Sequence, residues 1–212
     1  MTASTVLSER AEFYLCLARA FLAPKEGAAY RAFARYLADD LEDLSGRLGY
    51  PVSSELVGLR AAAETDHLAL LQAYSRLFLA PPAPVHINAG FYLDGAIMGG
   101  GVAAMEAWYR RHGVERSERL HDLSDHVSVQ LEFVAYLYAA DAAPGAEQFL
   151  DAFVRRWLPP FCADLERAAA RCGAAAASYL HLARLLRAAV ECDAAPVPED
   201  KTAPEPSAPA FF

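Results

Sequence analysis

Apolar positions along this chain repeat with a helical period from near one end to near the other. Between Thr5 and Leu22 they fall at Leu7, Ala11, Tyr14, Leu15, Ala18, Phe21 and Leu22, the i, i+3, i+4, i+7 stripe of an amphipathic helix, and Pro24 closes it. A second stretch carries Tyr30, Phe33, Tyr36 and Leu37 and continues or re-forms through Leu41, Leu44 and Leu48, ahead of Gly49 and Pro51. The stripe returns over Thr65 to Leu79 with Leu70, Leu71, Tyr74, Leu77 and Phe78. Residues 80–101, APPAPVHINAGFYLDGAIMGGG, then hold no sustained period. Proline there removes donors and fixes φ while glycine relaxes it, which predicts a long loop rather than a regular helix. Phe91 and Tyr92 argue against a plain disordered linker, so the loop is expected to join two helical halves, about 1–79 and 102–192.

Helical spacing resumes over Val102–His112, ending in Arg110, Arg111 and His112 before Gly113, cations at the negative end of a helix followed by a left-handed cap residue. The next helix is expected from Leu123 to Ala140, with Asp122 or Ser124 as its N-cap. Phe149, Phe153 and Trp157 stack at i, i+4, i+8 in another, which Pro159 and Pro160 are expected to kink or break before it reaches Arg171. A last helix spans Ala174 to about Cys192, and residues 193–212 read as a Pro/Ala-rich, disordered tail whose Phe211 and Phe212 are candidate occupants of an apolar groove. Neither a strand pattern nor an internal repeat is present. The prediction is an all-α fold: one globular helical bundle over 1–192 plus the tail.

Composition narrows the function. A chain of 212 residues, 55% of them hydrophobic, can bury a real core without disulfides or a structural metal. Nineteen Lys and Arg against 27 Asp and Glu give a net charge of −8, which disfavours a nucleic-acid partner and favours a cationic ligand or peptide. Cys16, Cys162, Cys172 and Cys192 form no C-x-x-C pair, and most sit in apolar helical runs, where a free thiol behaves as a small hydrophobe. The pattern suits a reducing compartment. Met1 to Phe13 shows no secretory signal, and every apolar run is interrupted by charge well short of the ~20 residues a membrane span needs. The expectation is a cytoplasmic protein without a membrane span.

The sharpest cluster of chemistry-bearing side chains is His121-Asp122-Leu123-Ser124-Asp125-His126. One reading makes it the nucleus of a small helical metal-dependent hydrolase; the other has Asp122 and Asp125 stabilise a helix N-terminus, with His126 bonding nearby. The remaining histidines show no H-E-x-x-H partner pattern. Gly99-Gly100-Gly101 lacks both the preceding strand and the Lys-Ser/Thr of a phosphate loop. Arg155-Arg156 lies deep in the chain and reads as a solvated helix face. No Ser-His-Asp or Cys-His set stands out along the sequence, which leaves open one assembled in space.

At Tyr74-Ser75-Arg76-Leu77-Phe78, the proline-rich loop with Tyr92-Leu93-Asp94, and Ser124-Asp125-His126 through Leu131-Glu132-Phe133, the chain resembles the TorD/DmsD family, cytoplasmic chaperones for molybdenum-cofactor oxidoreductases that are also called redox enzyme maturation proteins. The likeness runs from about Leu7 to Val190 and rests on the order and spacing of these short motifs. The chain differs from relatives in having Leu123-Ser124 before Asp-His, Gly95-Ala96 after Leu-Asp, and no tryptophan in the loop. The resemblance implies an all-helical bundle without a cofactor of its own, monomeric or homodimeric. It implies a chaperone and not an enzyme, one that binds the twin-arginine signal peptide and the immature catalytic subunit of a molybdoenzyme, assists cofactor insertion and delays export. It carries signal-peptide binding onto Asp125, His126, Tyr92 and Asp94. Such a peptide pairs two guanidinium groups with an apolar stretch, so carboxylates and an apolar groove are needed together. Asp125, Asp94 and Asp122 are the candidates to meet the arginines, and Tyr74, Phe78, Phe91 and Tyr92 to line the groove.

Overall fold

The structure is a computed structural model that describes residues 8–63, 67–96, 99–114 and 123–194. Among these the chain forms α1 (Glu9–Ala20), α2 (Ala28–Leu48), α3 (Ser53–Ala63) and α4 (His67–Tyr74), the last running into a π-helical turn, Ser75–Leu79. Then come α5 (Gly90–Asp94), α6 (Gly100–Arg111), α7 (Val127–Ala139) and α8 (Ala143–Phe149). A second π turn (Leu150–Val154) leads into α9 (Arg155–Cys172), and α10 (Ala174–Asp193) follows. The β-type pairing seen among the described residues is one isolated antiparallel bridge, Asn88 to His126. The fold is all-α, as the periodicity predicts.

α1 packs on α7 and α2, while α10 packs on α9, α3 and α4. Helices from either side of the 80–101 segment therefore interleave around one core, whose largest fully buried side chains include Trp157, Tyr14, Tyr179, Phe149 and Phe161. Each such side chain withdrawn from water contributes roughly 1.5–3 kcal/mol before the entropy of ordering it is subtracted. Local signals agree with this packing. Ser8 caps α1 by accepting from the Ala11 amide (3.2 Å), Glu9 and Glu12 occupy its first turn and Arg19 its last. Asp193, the last residue of α10, is buried and accepts from Tyr14 Oη (3.0 Å), Tyr50 Oη and Arg10 Nε (3.1 Å), so it belongs to the core rather than to a tail.

Several boundaries differ from expectation. α3 has no counterpart in the sequence reading, because Gly58 breaks its apolar stripe. Its Leu56 and Leu59 are nonetheless buried, and Gly58 lies so close to the His181 ring of α10 that a Cβ would sit 2.1 Å from Cε1. The predicted loop contains the short helix α5 and the first residues of α6. Pro159 and Pro160 do not end α9. They lie in its second turn and the irregularity falls upstream, in the π turn, where the Ala152 carbonyl faces the Arg156 guanidinium (3.5 Å). The helix expected from Leu123 begins at Val127.

Candidate functional site

Just before α7, residues 123–126 form a turn, the His126 amide donating to the Leu123 carbonyl at 3.0 Å. The turn lies alongside Ile87–Ala89. The Ala89 amide donates to the Asp125 carbonyl (2.9 Å) and the Val127 amide to the Ile87 carbonyl (3.1 Å). This pairing carries the Asp125 side chain under the start of α5, where Oδ1 accepts from Asn88 Nδ2 and Oδ2 from the Gly90 amide, each at 2.9 Å. Asp125 is 1% exposed. Gly90 is required by the approach, since a Cβ there would lie 2.8 Å from Asp125 Oδ2 and 2.7 Å from Val102 Cγ2. Behind Asp125, Gln130 Nε2 donates to the Asp125 carbonyl and Trp157 Nε1 to Gln130 Oε1, both at 2.8 Å. A chain of satisfied buried polar groups thus runs from α9 through α7 to the loop, an arrangement that fixes geometry because any broken link strands a buried donor or acceptor.

The predicted N-cap of α7 is corrected by this geometry. Ser124, one of the two predicted caps, does not cap it. His126 does, its Nδ1 accepting from the Ser128 amide at 3.1 Å, with the ring 5% exposed. Ser124 Oγ instead donates to Glu106 on α6 (2.7 Å), and the Ser124 carbonyl accepts from Tyr109 Oη (2.9 Å). Asp122 and His121 lie outside the described residues.

What Asp125 holds in place is α5, and α5 presents the surface groups. Phe91 is 38% exposed and stacks on His86, the ring centroids 3.6 Å apart. Tyr92 is half-buried. Its Oη donates to Asp164 on α9 (2.9 Å) and accepts from the His86 amide (3.2 Å), and its ring meets Phe161 edge-on at 5.9 Å. Burial, reinforced by Asp164, pushes the Tyr92 phenol well above its ordinary range, so it stays a neutral donor. Asp94 ends the helix exposed, its carboxylate accepting from the Gly101 amide (2.9 and 3.1 Å) and so capping the start of α6. Leu79, at the end of the first π turn, is 59% exposed.

Of the residues singled out by sequence, Phe91, Tyr92 and Asp94 come together on α5. Tyr74 and Phe78 are buried and form the wall behind: Phe78 packs on Tyr74 (5.0 Å), Tyr179 (5.3 Å) and Phe161 (6.5 Å), and Phe161 carries the contact on to Tyr92. Asp125 and His126 sit beneath this surface, Asp125 accepting from Asn88 and the Gly90 amide and His126 Nδ1 from the Ser128 amide. Residues that the sequence reading missed are His86, Asn88, Gln130 and Asp164. Asp164 lies on an α9 face without any motif, and nothing in the local sequence marks it. Among the described residues no group of three or more His, Cys, Asp or Glu is placed to hold a metal ion, and no helix is long and apolar enough to cross a membrane.

Comparison with known proteins adds three findings. Residues 22–163 match the family model described as nitrate reductase delta subunit. The chaperone protein TorD of Vibrio vulnificus, strains YJ016 and CMCP6, is 28% identical over 86 residues, 34% of this chain and 40% of theirs. The chain thus spans about 40% of the length of the curated relatives it matches. A proposed redox enzyme maturation protein from Archaeoglobus fulgidus shares the fold, with a TM-score of 0.55 and 19% identity across 88% of this chain and 98% of that one.

Proposed function

Because the chain belongs to the nitrate reductase delta subunit family, we propose that it is a maturation chaperone of the TorD type, acting in the cytoplasm on the immature catalytic subunit of a molybdenum-cofactor oxidoreductase. In this reading it holds the twin-arginine signal peptide of that subunit, assists cofactor insertion and delays export. It breaks no bond and carries no cofactor of its own. Monomeric or homodimeric protein serves the task equally.

The observation that carries the reading is the ledge formed by α5. An exposed aromatic, Phe91, lies flat on His86 beside the exposed Asp94 carboxylate and the Tyr92–Asp164 pair, all backed by a buried aromatic wall. An apolar leader segment covers Phe91 and Leu79, and its guanidinium groups meet Asp94 and Asp164. Arg167, which now pairs with Asp164, is 69% exposed and free to yield. Charged hydrogen bonds of this kind contribute about 1.5–3 kcal/mol each when water is excluded, and less at a wet rim. Asp125 and His126 act here as positioning residues: one pins α5, the other starts α7, and neither needs to touch the peptide.

Calorimetry with a synthetic leader bearing Arg-Arg tests the proposal. The leader is expected to bind, to lose about tenfold in affinity against Phe91→Ala, and to lose a similar factor when Arg-Arg is replaced by Lys-Lys, since only the guanidinium fork engages a carboxylate through two parallel bonds. Absence of binding to several twin-arginine leaders overturns it.

A further inference from the structure

A concavity lies elsewhere, lined mainly by α2, α3, α4 and α10 and open to solvent, with a volume of about 490 Å³. That is within the range of ligand-binding cavities. Its floor is apolar and aromatic: Tyr30, Phe33, Leu37, Leu59, Leu70 and Tyr179. His67 is among its lining residues, and among the described residues its buried Nε2 has no hydrogen-bond partner. The rim is cationic. Arg60 is paired with Asp39 and Glu42, but no ion pair engages Arg31 or Arg35 among the described residues. Two uncompensated arginines repel a cationic leader and select a ligand that joins apolar bulk to carboxylates.

We propose that this cavity receives the chain's own residues 195–212. The segment follows α10, whose Ser178, Tyr179 and Leu182 form one wall of the cavity. It carries Glu199, Asp200 and Glu205 against a single Lys201, and then Phe211-Phe212. Acids face Arg31 and Arg35, and the paired aromatics enter the apolar floor. Reach is ample. From Leu182 to Ala194 the helix rises about 18 Å, whereas the 17 residues from Ala194 to Phe211 span up to about 53 Å in an extended, proline-rich conformation. A flexible tether of this length presents its end at roughly millimolar effective concentration, so even a contact of millimolar intrinsic affinity is populated. The cavity then works as an intramolecular dock, separate from the ledge on α5.

The test uses the full chain with Phe212→p-benzoylphenylalanine, irradiated at low concentration, and reads cross-linked peptides by mass spectrometry. Intramolecular adducts to residues 30–37, 59–70 or 178–182 are expected. Their yield is expected to fall about tenfold with Arg31→Glu plus Arg35→Glu, as like charges then face one another. The same fall is expected from Glu199→Lys, Asp200→Lys and Glu205→Lys, which leave the helical body untouched, and combining both charge reversals is expected to restore it. Adducts scattered over the surface, adducts at Phe91, adducts between two copies, or a yield indifferent to charge reversal would each overturn the proposal. Leader affinity at the ledge is measured separately, so failure of one reading leaves the other standing.

Discussion

Asp125 and Phe91 lie within one small region and make opposite demands on the protein. Asp125→Ala removes the acceptors of the buried Gly90 amide and the Asn88 side chain, and stranded buried donors cost about 1–3 kcal/mol each. Urea unfolding is expected to show a loss of about 2–3 kcal/mol, with leader affinity falling because α5 is no longer pinned. Phe91→Ala strands no buried polar group and removes only the stacking on His86 and Tyr92, so it is expected to cost about 1 kcal/mol or less while weakening the leader. A variant pair behaving the other way round would place Asp125 in direct contact with peptide. The cysteines make a simpler case. Burial pushes the Cys16 and Cys162 thiols up to about 11, so at pH 8 only about a thousandth of either is thiolate. Both are expected to resist iodoacetamide in the folded protein and to react promptly in urea, while the exposed Cys192 labels first; equal labelling rates at all four sites would refute this.

At the scale of elements, helices whose ends carry chemical punctuation were legible and those defined by tertiary contact were not. α2 ends on the left-handed Gly49 and α6 on Arg110 and Arg111, so these limits lie close to expectation, whereas α1 begins at Glu9, inside the Thr5–Leu22 stripe, where Ser8 caps it. α3 was invisible because Gly58, a poor helix former, is there to let the His181 ring approach. The start of α7 lies four residues beyond the expected Leu123 because Ser124, an expected cap, bonds Glu106 and Tyr109 on α6 and Asp125 bonds Asn88 and Gly90, which leaves His126 to cap the helix. The ledge was half legible. Phe91, Tyr92 and Asp94 stood out as aromatics and an acid in a proline-rich loop, whereas Asp164 and Gln130 acquire meaning only when α9 and α7 are packed. Gly58→Ala tests the close approach: a methyl there overlaps a ring already hydrogen-bonded to Glu55 at 2.7 Å, and a loss of about 1–3 kcal/mol in urea unfolding is expected. An unchanged midpoint would show that the ring moves aside at no cost.

Over the whole molecule, the hydroxyl-bearing aromatics set the alkaline limit of the fold. The chain has ten tyrosines, and burial pushes Tyr14, Tyr50, Tyr109, Tyr138 and Tyr179 well above the ordinary phenol value of about 10. Each keeps its proton in the folded state while the unfolded chain releases it, so their contribution is fully present below about pH 10 and lost as pH rises beyond it. Absorbance at 295 nm is expected to show these five phenols ionising in one cooperative step that coincides with loss of far-ultraviolet ellipticity. Gradual ionisation of these five while the helices persist would contradict this burial pattern.

Asp193 adds an ordering in time. Its carboxylate, at the far end of α10, satisfies Tyr14, Tyr50 and Arg10, so these groups wait for one made 143 to 183 residues later. On the ribosome, α1 emerges with its polar partners still unsynthesised, and the native core closes only once position 193 has cleared the exit tunnel. A nascent chain stalled short of that point is thus itself in need of protection from proteases and aggregation.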